Sequence, residues 1–279
     1  MIGINTFGLS RLLRTNFSST LQKLYSCGFG VLEPCVLFDN YGFAPVRATT
    51  HANLRNYRLD GGIWFSGKNA KERLETARSL GFTVLSVQSS LALAPFLKHG
   101  IGEAVNFLKE QNIRYLVVSP MKKATAQAKK LIPYLQSTAE TLEKQGLSLV
   151  LHNHEHECLP MADGSTLLDL YLENVPSLKL ELDVGWAHYA NGDAVSIMQK
   201  YRDRLVLLHL KDVKKGAPRS HCFTAVGEGD LPLGAVLREA ASLPCLEKNG
   251  ILIDQDKSEG DLLSDLERGA KNAYSLLGI

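Results

Sequence analysis

The stretch LKLELDVGWAHYANGDAVSIMQKYRDRLVLLHLKD, residues 178–212, decides the fold. Its first six residues alternate apolar and polar side chains and read as an extended strand ending in Asp183. Ala194–Tyr201 then shows helical spacing, and RLVLLHLKD at 204–212 is a second, more apolar strand. Strand, helix and strand in so short a run imply two parallel strands joined by a right-handed crossover.

The same unit repeats on either side. Upstream lie IGINT at 2–6, VLEPCV at 31–36, TVLSVQ at 83–88, YLVVS at 115–119 and LSLVLHN at 147–153; downstream lies GILIDQD at 250–256. Between them, helical spacing is found over residues 17–26, 70–80, 101–110, 126–145, 167–173 and 233–242, with a last helix over 262–277. Gly28, Gly81 and Gly146 stand just before the next strand, where a left-handed C-terminal cap is expected. Eight such units in 279 residues predict an α/β fold, a (β/α)8 TIM barrel forming a single domain over residues 1–279. A doubly wound open sheet is the competing arrangement. It would gather its ligand loops near one switch point, whereas here polar residues close consecutive strands.

Composition narrows the function classes. A formal net charge of +2 lacks the basic footprint of a general nucleic-acid binder. No apolar run reaches the length of a membrane span, and MIGINTFGLS enters a strand pattern at once instead of a signal segment. Five cysteines, odd in number, widely spaced and without a CxxC pair, read as reduced structural thiols, so a soluble cytoplasmic protein is expected. Residues 38–68 break the rhythm with a long, aromatic-containing connection that we read as a lid-like capping loop after the second strand, a surface hairpin being the alternative.

The polar residues at the strand ends carry the chemistry. His152-Asn153-His154-Glu155-His156-Glu157 begins where the fifth strand runs out of apolar residues, and His152 and His154, two apart, share its inward face. The sixth strand ends in Asp183, the seventh embeds His209 and Lys211 in apolar sequence, and the eighth ends with Asp254 and Asp256 on one face. Four consecutive strands thus deliver an imidazole or carboxylate at the end of the barrel where active sites of this fold lie. Such a mixed nitrogen and oxygen set suits one divalent ion, Mn, Zn, Co, Fe or Mg, and does not choose among them.

At LHNHEHE, LELDVGWAHYANGD, LLHLKD, FTAVGEGDL and ILIDQD the chain resembles the sugar phosphate isomerase/epimerase superfamily, the xylose isomerase-like barrels. The resemblance runs from the first strand to the last. It implies a divalent metal held by His152, Asp183, His209 and Asp254, and substrate-facing roles for His188, Lys211, Glu228 and Glu33. In the ketose epimerases the positions matching His152 and Asp254 are glutamates that also shuttle the proton; neither is glutamate here. The histidine is similar to a subgroup with a Tyr-His-Asn-His type motif on the fifth strand and to inosose dehydratase-like members, while Asp254 shortens the reach by one methylene.

The expected function is a metal-dependent isomerase or epimerase of a sugar or cyclitol, working through an enediolate after proton abstraction next to a carbonyl. His154, Asp254 and Asp256 are the candidate bases and Lys211 the stabiliser of developing negative charge; Trp186 is a candidate to stack on the ring, and Asp256 also a substrate-binding candidate. Two alternatives stay open: an inosose dehydratase-like hydro-lyase, and a degenerate barrel that binds metal or sugar without turnover. An endonuclease IV-like zinc cluster needs ligands on earlier strands, where this chain has Gln88, Ser119 and Pro120. Nucleic acid and membrane are not expected partners, no dinucleotide or phosphate-binding fingerprint is present, and a homo-oligomer is compatible with this reading.

Overall fold

The computed structural model describes residues 1–36, 67–89, 101–120 and 124–278. Its strands are β1 (Ile2–Asn5), β2 (Phe29–Glu33), β3 (Thr83–Val84), β4 (Ser86–Gln88), β5 (Tyr115–Val118), β6 (Ser148–His152), β7 (Lys179–Asp183), β8 (Leu205–Leu210), β9 (Asp212–Val213), β10 (Phe223–Thr224) and β11 (Ile251–Ile253). β9 and β10 form a small antiparallel pair, and the other nine are parallel in the order β3-β2-β1-β11-β8-β7-β6-β5-β4. The two ends of that order, β3 and β4, are halves of one stave interrupted at Leu85, the first paired with β2 and the second with β5. At the break the Leu85 carbonyl accepts from the Arg114 and Tyr115 amides, and Val36 and Gln88 stitch the second and third staves together beyond their strand ends. The ring is therefore an eight-stave barrel, and the single strand read at 83–88 is split because it passes its hydrogen bonds from one neighbour to the other.

The helices are α1 (Ser10–Thr15), α2 (Phe17–Ser26), α3 (Gly67–Ser79), α4 (Ile101–Glu110), α5 (Thr125–Glu143), α6 (Leu167–Asn174), α7 (Val184–Tyr189), α8 (Ala194–Lys200), α9 (Leu233–Ala240) and α10 (Leu262–Leu277). α1, α7 and the β9–β10 pair are additions to the sequence reading; six-residue helices and two-residue strands are too short to show a period. Gly28, Gly81 and Gly146 have φ of 98°, 99° and 74°, as the expected caps require. The connection read as a lid lies outside the described residues except for Gly67 and Lys68, which open α3. Among the described residues no helix is long and apolar enough to cross a membrane, and all five cysteines are free.

Period-two alternation splits the strands between two cores. Leu32, Leu116, Leu149, Leu151, Leu180, Leu182, Leu208 and Ile253 join the layer shared with the helices. Val31, Val117, Val150, Leu207 and Leu252 form a separate apolar cluster, the barrel interior. Full burial of each such side chain stabilises by about 1.5–3 kcal/mol. Two residues further along the same strands, the inward position changes from apolar to Glu33, His152, His209 and Asp254. The polar tier thus rests directly on the apolar one.

Candidate metal centre at the barrel mouth

His152 ends β6, Asp183 ends β7, His209 lies in β8 and Asp254 follows β11. One ligand atom from each lies within 4.8 Å of all the others, and all four residues are buried. Local structure holds them there. The Asn153 amide clamps the ends of β6 and β7, its Oδ1 accepting from the Asp183 backbone N–H at 2.9 Å and its Nδ2 donating to the Asp183 carbonyl at 3.1 Å. Asp183 is also the N-cap of α7, Oδ1 accepting from the Trp186 amide at 2.8 Å. A Cβ at Gly185 would fall 2.1 Å from the Lys211 carbonyl oxygen, so only glycine lets α7 lie this close to the stave.

Lys211 is the central cation. Its Nζ lies 2.8 Å from Asp254 Oδ2, 3.0 Å from Asp256 Oδ1 and 3.4 Å from Asp183 Oδ2, with the Trp186 and Phe223 rings at 4.9 and 5.6 Å. Beneath these groups lies a second buried tier. His152 Nδ1 is 2.9 Å from Glu181 Oε2; His209 Nε2 is 3.0 Å from Glu33 Oε1 and 3.2 Å from Glu181 Oε1. Asn5 donates to Glu33 at 2.7 Å and to Gln88 at 3.0 Å, and the Ser86 hydroxyl donates to the other Glu33 oxygen.

Acidic groups outnumber cationic ones in this space. Burial pushes Asp183 up to about 7, Lys211 opposing the rise and Asp254 adding to it. Burial also raises Asp256, and with Glu33 beside it raises Glu181 well above the carboxylate range. Asp254 behaves oppositely: burial works to raise it, but Lys211 and His209 outweigh that and hold it ionised. Burial likewise opposes charge on Lys211 and His209, yet the surrounding carboxylates keep both raised; His152, by contrast, is held neutral by burial and by His209. Five carboxyl groups, Glu33, Glu181, Asp183, Asp254 and Asp256, face one ammonium and one imidazole that is held charged.

The remaining candidates separate. Lys211 and Asp256 belong to the cluster. His154 borders it, its imidazole held neutral with a pKa of about 3 by burial and by Lys211, its Nδ1 buried without a hydrogen-bond partner. Trp186 is wholly buried, packed edge-on to Phe223 and 4.4 Å from the Arg219 guanidinium, so its face is taken by protein. Glu33 lies in the lower tier with both oxygens engaged. His188 stands apart, in the field of Lys215, Asp212 and Asp230, and Glu228 is exposed in an ion pair with Arg268. Sequence reasoning missed Glu181 and Asn153. Glu181 had a signal, standing two residues before Asp183 and so on the same face of β7.

A divalent cation fits this donor set. Asp183 Oδ2, His209 Nδ1 and Asp254 Oδ1 are all buried without a hydrogen-bond partner, a costly condition unless another partner is available. Two imidazoles and two carboxylates are also a common set for such an ion.

Comparison with known proteins agrees at the level of the fold. A sugar phosphate isomerase/epimerase from Parabacteroides distasonis superposes with a TM-score of 0.72 at 20% identity, covering 99% of this chain and 93% of that one. A xylose isomerase-like TIM barrel protein from Mycobacterium smegmatis in complex with magnesium gives 0.63 at 12% identity, covering 99% and 96%. Inosose dehydratase of Clostridium perfringens is 25% identical over 155 residues, 50% of this chain and 47% of the relative, so the match spans about half the length of each. The family pattern of the xylose isomerase-like TIM barrels matches residues 68–244. With the barrel closed and that pattern across more than half of its length, the chain belongs to the xylose isomerase-like TIM barrel family.

Proposed function

We propose that this protein is a divalent-metal-dependent enzyme that moves a proton next to the carbonyl of a sugar or cyclitol, with isomerisation or epimerisation as the outcome. The observation that carries the proposal is the convergence of His152, Asp183, His209 and Asp254, three of them with a buried atom that makes no hydrogen bond. These four side chains would hold the ion, which when bound supplies positive charge to polarise a carbonyl and its neighbouring hydroxyl.

The chain's own groups do the rest. Lys211, kept charged among Asp254, Asp256 and Asp183, places a fixed positive charge where negative charge develops on a substrate oxygen. Of the three candidate bases, Asp254 is held ionised far below the usual range and His154 has a pKa of about 3, so both accept a proton reluctantly. Asp256 is raised by burial and is the best matched proton acceptor of the three. His154, neutral around pH 7, serves as an uncharged hydrogen-bonding partner for substrate hydroxyls.

Elimination of water is the second reading. The inosose dehydratase similarity favours it, and it begins with the same proton abstraction. Two measurements test these readings. Bound metal, determined by elemental analysis of the purified protein, is expected at one equivalent in the wild type and to be lost in His152→Ala and Asp183→Ala; full retention by both variants would defeat the proposal. Proton NMR of ketoses and inososes in deuterated water is then expected to show metal-dependent exchange next to the carbonyl. An accumulating dehydrated product would select the hydro-lyase, and absence of any exchange would leave a binding protein without turnover.

A further inference from the structure

The lower tier contains a carboxylate that the proposed reaction does not use. Glu181 is fully buried, and its two oxygens lie on two different imidazoles: Oε2 is 2.9 Å from His152 Nδ1, and Oε1 is 3.2 Å from His209 Nε2. The two rings are 4.8 Å apart at an interplanar angle of 62°, so the two glutamates approach them side by side from below. Glu33, fastened by Asn5 and Ser86, is the hydrogen-bond acceptor of His209 Nε2 at 3.0 Å.

We infer that Glu181 is a positioning residue that fixes the proton on His152 Nδ1, as Glu33 fixes it on His209 Nε2, leaving His152 Nε2 and His209 Nδ1 as the nitrogens available to a cation. The inference rests on reading the upper tier as a metal site. Its physical basis is that the proton burial keeps on Glu181 is shared with Glu33, which leaves the oxygen facing His152 to accept, and a ring nitrogen facing an accepting oxygen must carry the hydrogen. The opposite nitrogen is then bare or gives up its proton when a metal binds, and a carboxylate behind a ligating histidine also strengthens it as a donor. The observed geometry has this polarity. His209 Nδ1, away from the glutamates, is buried without a hydrogen bond and lies 3.4 Å from Asp254. A merely structural role accounts poorly for Glu181, because burying an ionisable side chain is expensive and an apolar one of similar volume often stabilises instead.

The test uses Glu181→Met, which keeps the volume and removes both acceptors. Long-range proton–nitrogen spectra of the metal-free wild type are expected to place the His152 proton on Nδ1. In Glu181→Met it should move to Nε2, and affinity for Mn and Zn ions, by titration calorimetry, should fall about 10–100-fold while the melting temperature is unchanged or higher. A wild-type His152 protonated on Nε2 overturns the inference, as does wild-type affinity in Glu181→Met. Two metal equivalents per wild-type chain would overturn it too, making Glu33, Glu181 and His209 a second ion site. Should Glu181→Met fail to fold, the wild-type spectrum decides alone. Should the wild type bind no ion, the metal reading falls, and the location of the His152 proton still judges the Glu181 clamp.

Discussion

Replacing Lys211 with methionine removes the one ammonium shared by Asp183, Asp254 and Asp256 and keeps most of the stem that packs against Trp186 and Phe223. At separations of 2.8, 3.0 and 3.4 Å the three pairs are close. Each such pair contributes on the order of 4 kcal/mol of gross attraction at an effective dielectric near 20, which offsets the several kcal/mol it costs to desolvate an ammonium. What the variant leaves behind is buried carboxylates without their counter-ion, and breaking a buried pair in this way costs roughly 3–5 kcal/mol. In a chain of this size each kcal/mol moves the melting temperature by roughly 2–4 °C, so a fall of roughly 6–20 °C is expected in chelator. Added divalent metal should reverse it. The site has lost a competing positive charge, binds the ion more tightly, and gains about 2.7 kcal/mol once free metal reaches 100-fold over the dissociation constant. Differential scanning fluorimetry of both proteins, with EDTA and then with Mn, makes the comparison. A Lys211→Met melting temperature equal to wild type in EDTA, or a metal-induced rise no larger than wild type, refutes this reasoning.

Two further outcomes follow from the fold. Gly185→Ala places a methyl 2.1 Å from the Lys211 carbonyl oxygen, so α7 must retreat from its stave; a loss of about 1–3 kcal/mol in urea unfolding is expected, and an unchanged midpoint would show that α7 docks otherwise. Asp169 closes a capping box with Thr166 and accepts from Lys200 at 2.8 Å and from the Tyr201 hydroxyl. Burial works to raise its pKa, but these hydrogen bonds prevail and lower it. A carboxyl lowered on folding contributes its full stability above the unfolded value of about 3.9 and loses it as pH falls through the lower folded value. Asp169→Asn should therefore cost about 1.5–3 kcal/mol at pH 7, with the gap to wild type closing in strong acid; a gap of constant size across that range would contradict the sign.

How far the sequence carried the reading depends on whether a feature is local. Alternation of two along LVLLHLK and ILIDQD is enough to place His209 and Asp254 inward. The same parity applied to LKLELD marks Glu181, yet a glutamate inside a leucine-rich strand is easily passed over in favour of the terminal aspartate. Tertiary fastenings leave no such mark. The GEG loop drew attention to Glu228, but its glycines make the contact: Gly227 and Gly229 donate backbone N–H groups to Asp212 Oδ2 at 2.8 and 3.0 Å, while Glu228 turns to Arg268. A Cβ at Gly229 would lie 2.2 Å from the Asp212 carboxylate, which explains the glycine without any substrate. His188 and Trp186 likewise stand in a conspicuous motif because α7 has to cap the stave and pack against β9–β10.

The two tiers assign different consequences to their residues. Upper-tier side chains, Asp183 and Asp254, each carry a buried oxygen that makes no hydrogen bond, so their removal changes the number of donors a cation meets. Lower-tier side chains, Glu33 and Glu181, meet the histidines only at their far nitrogens. Their removal leaves the donor count intact and changes which nitrogen is free. Loss of metal stoichiometry in Asp183→Ala, against retained stoichiometry with weakened affinity in Glu181→Met, is therefore the contrast a two-tier mouth demands. If both variants lose the ion outright, the tiers act as one shell, and Glu181 belongs among the ligands instead of behind them.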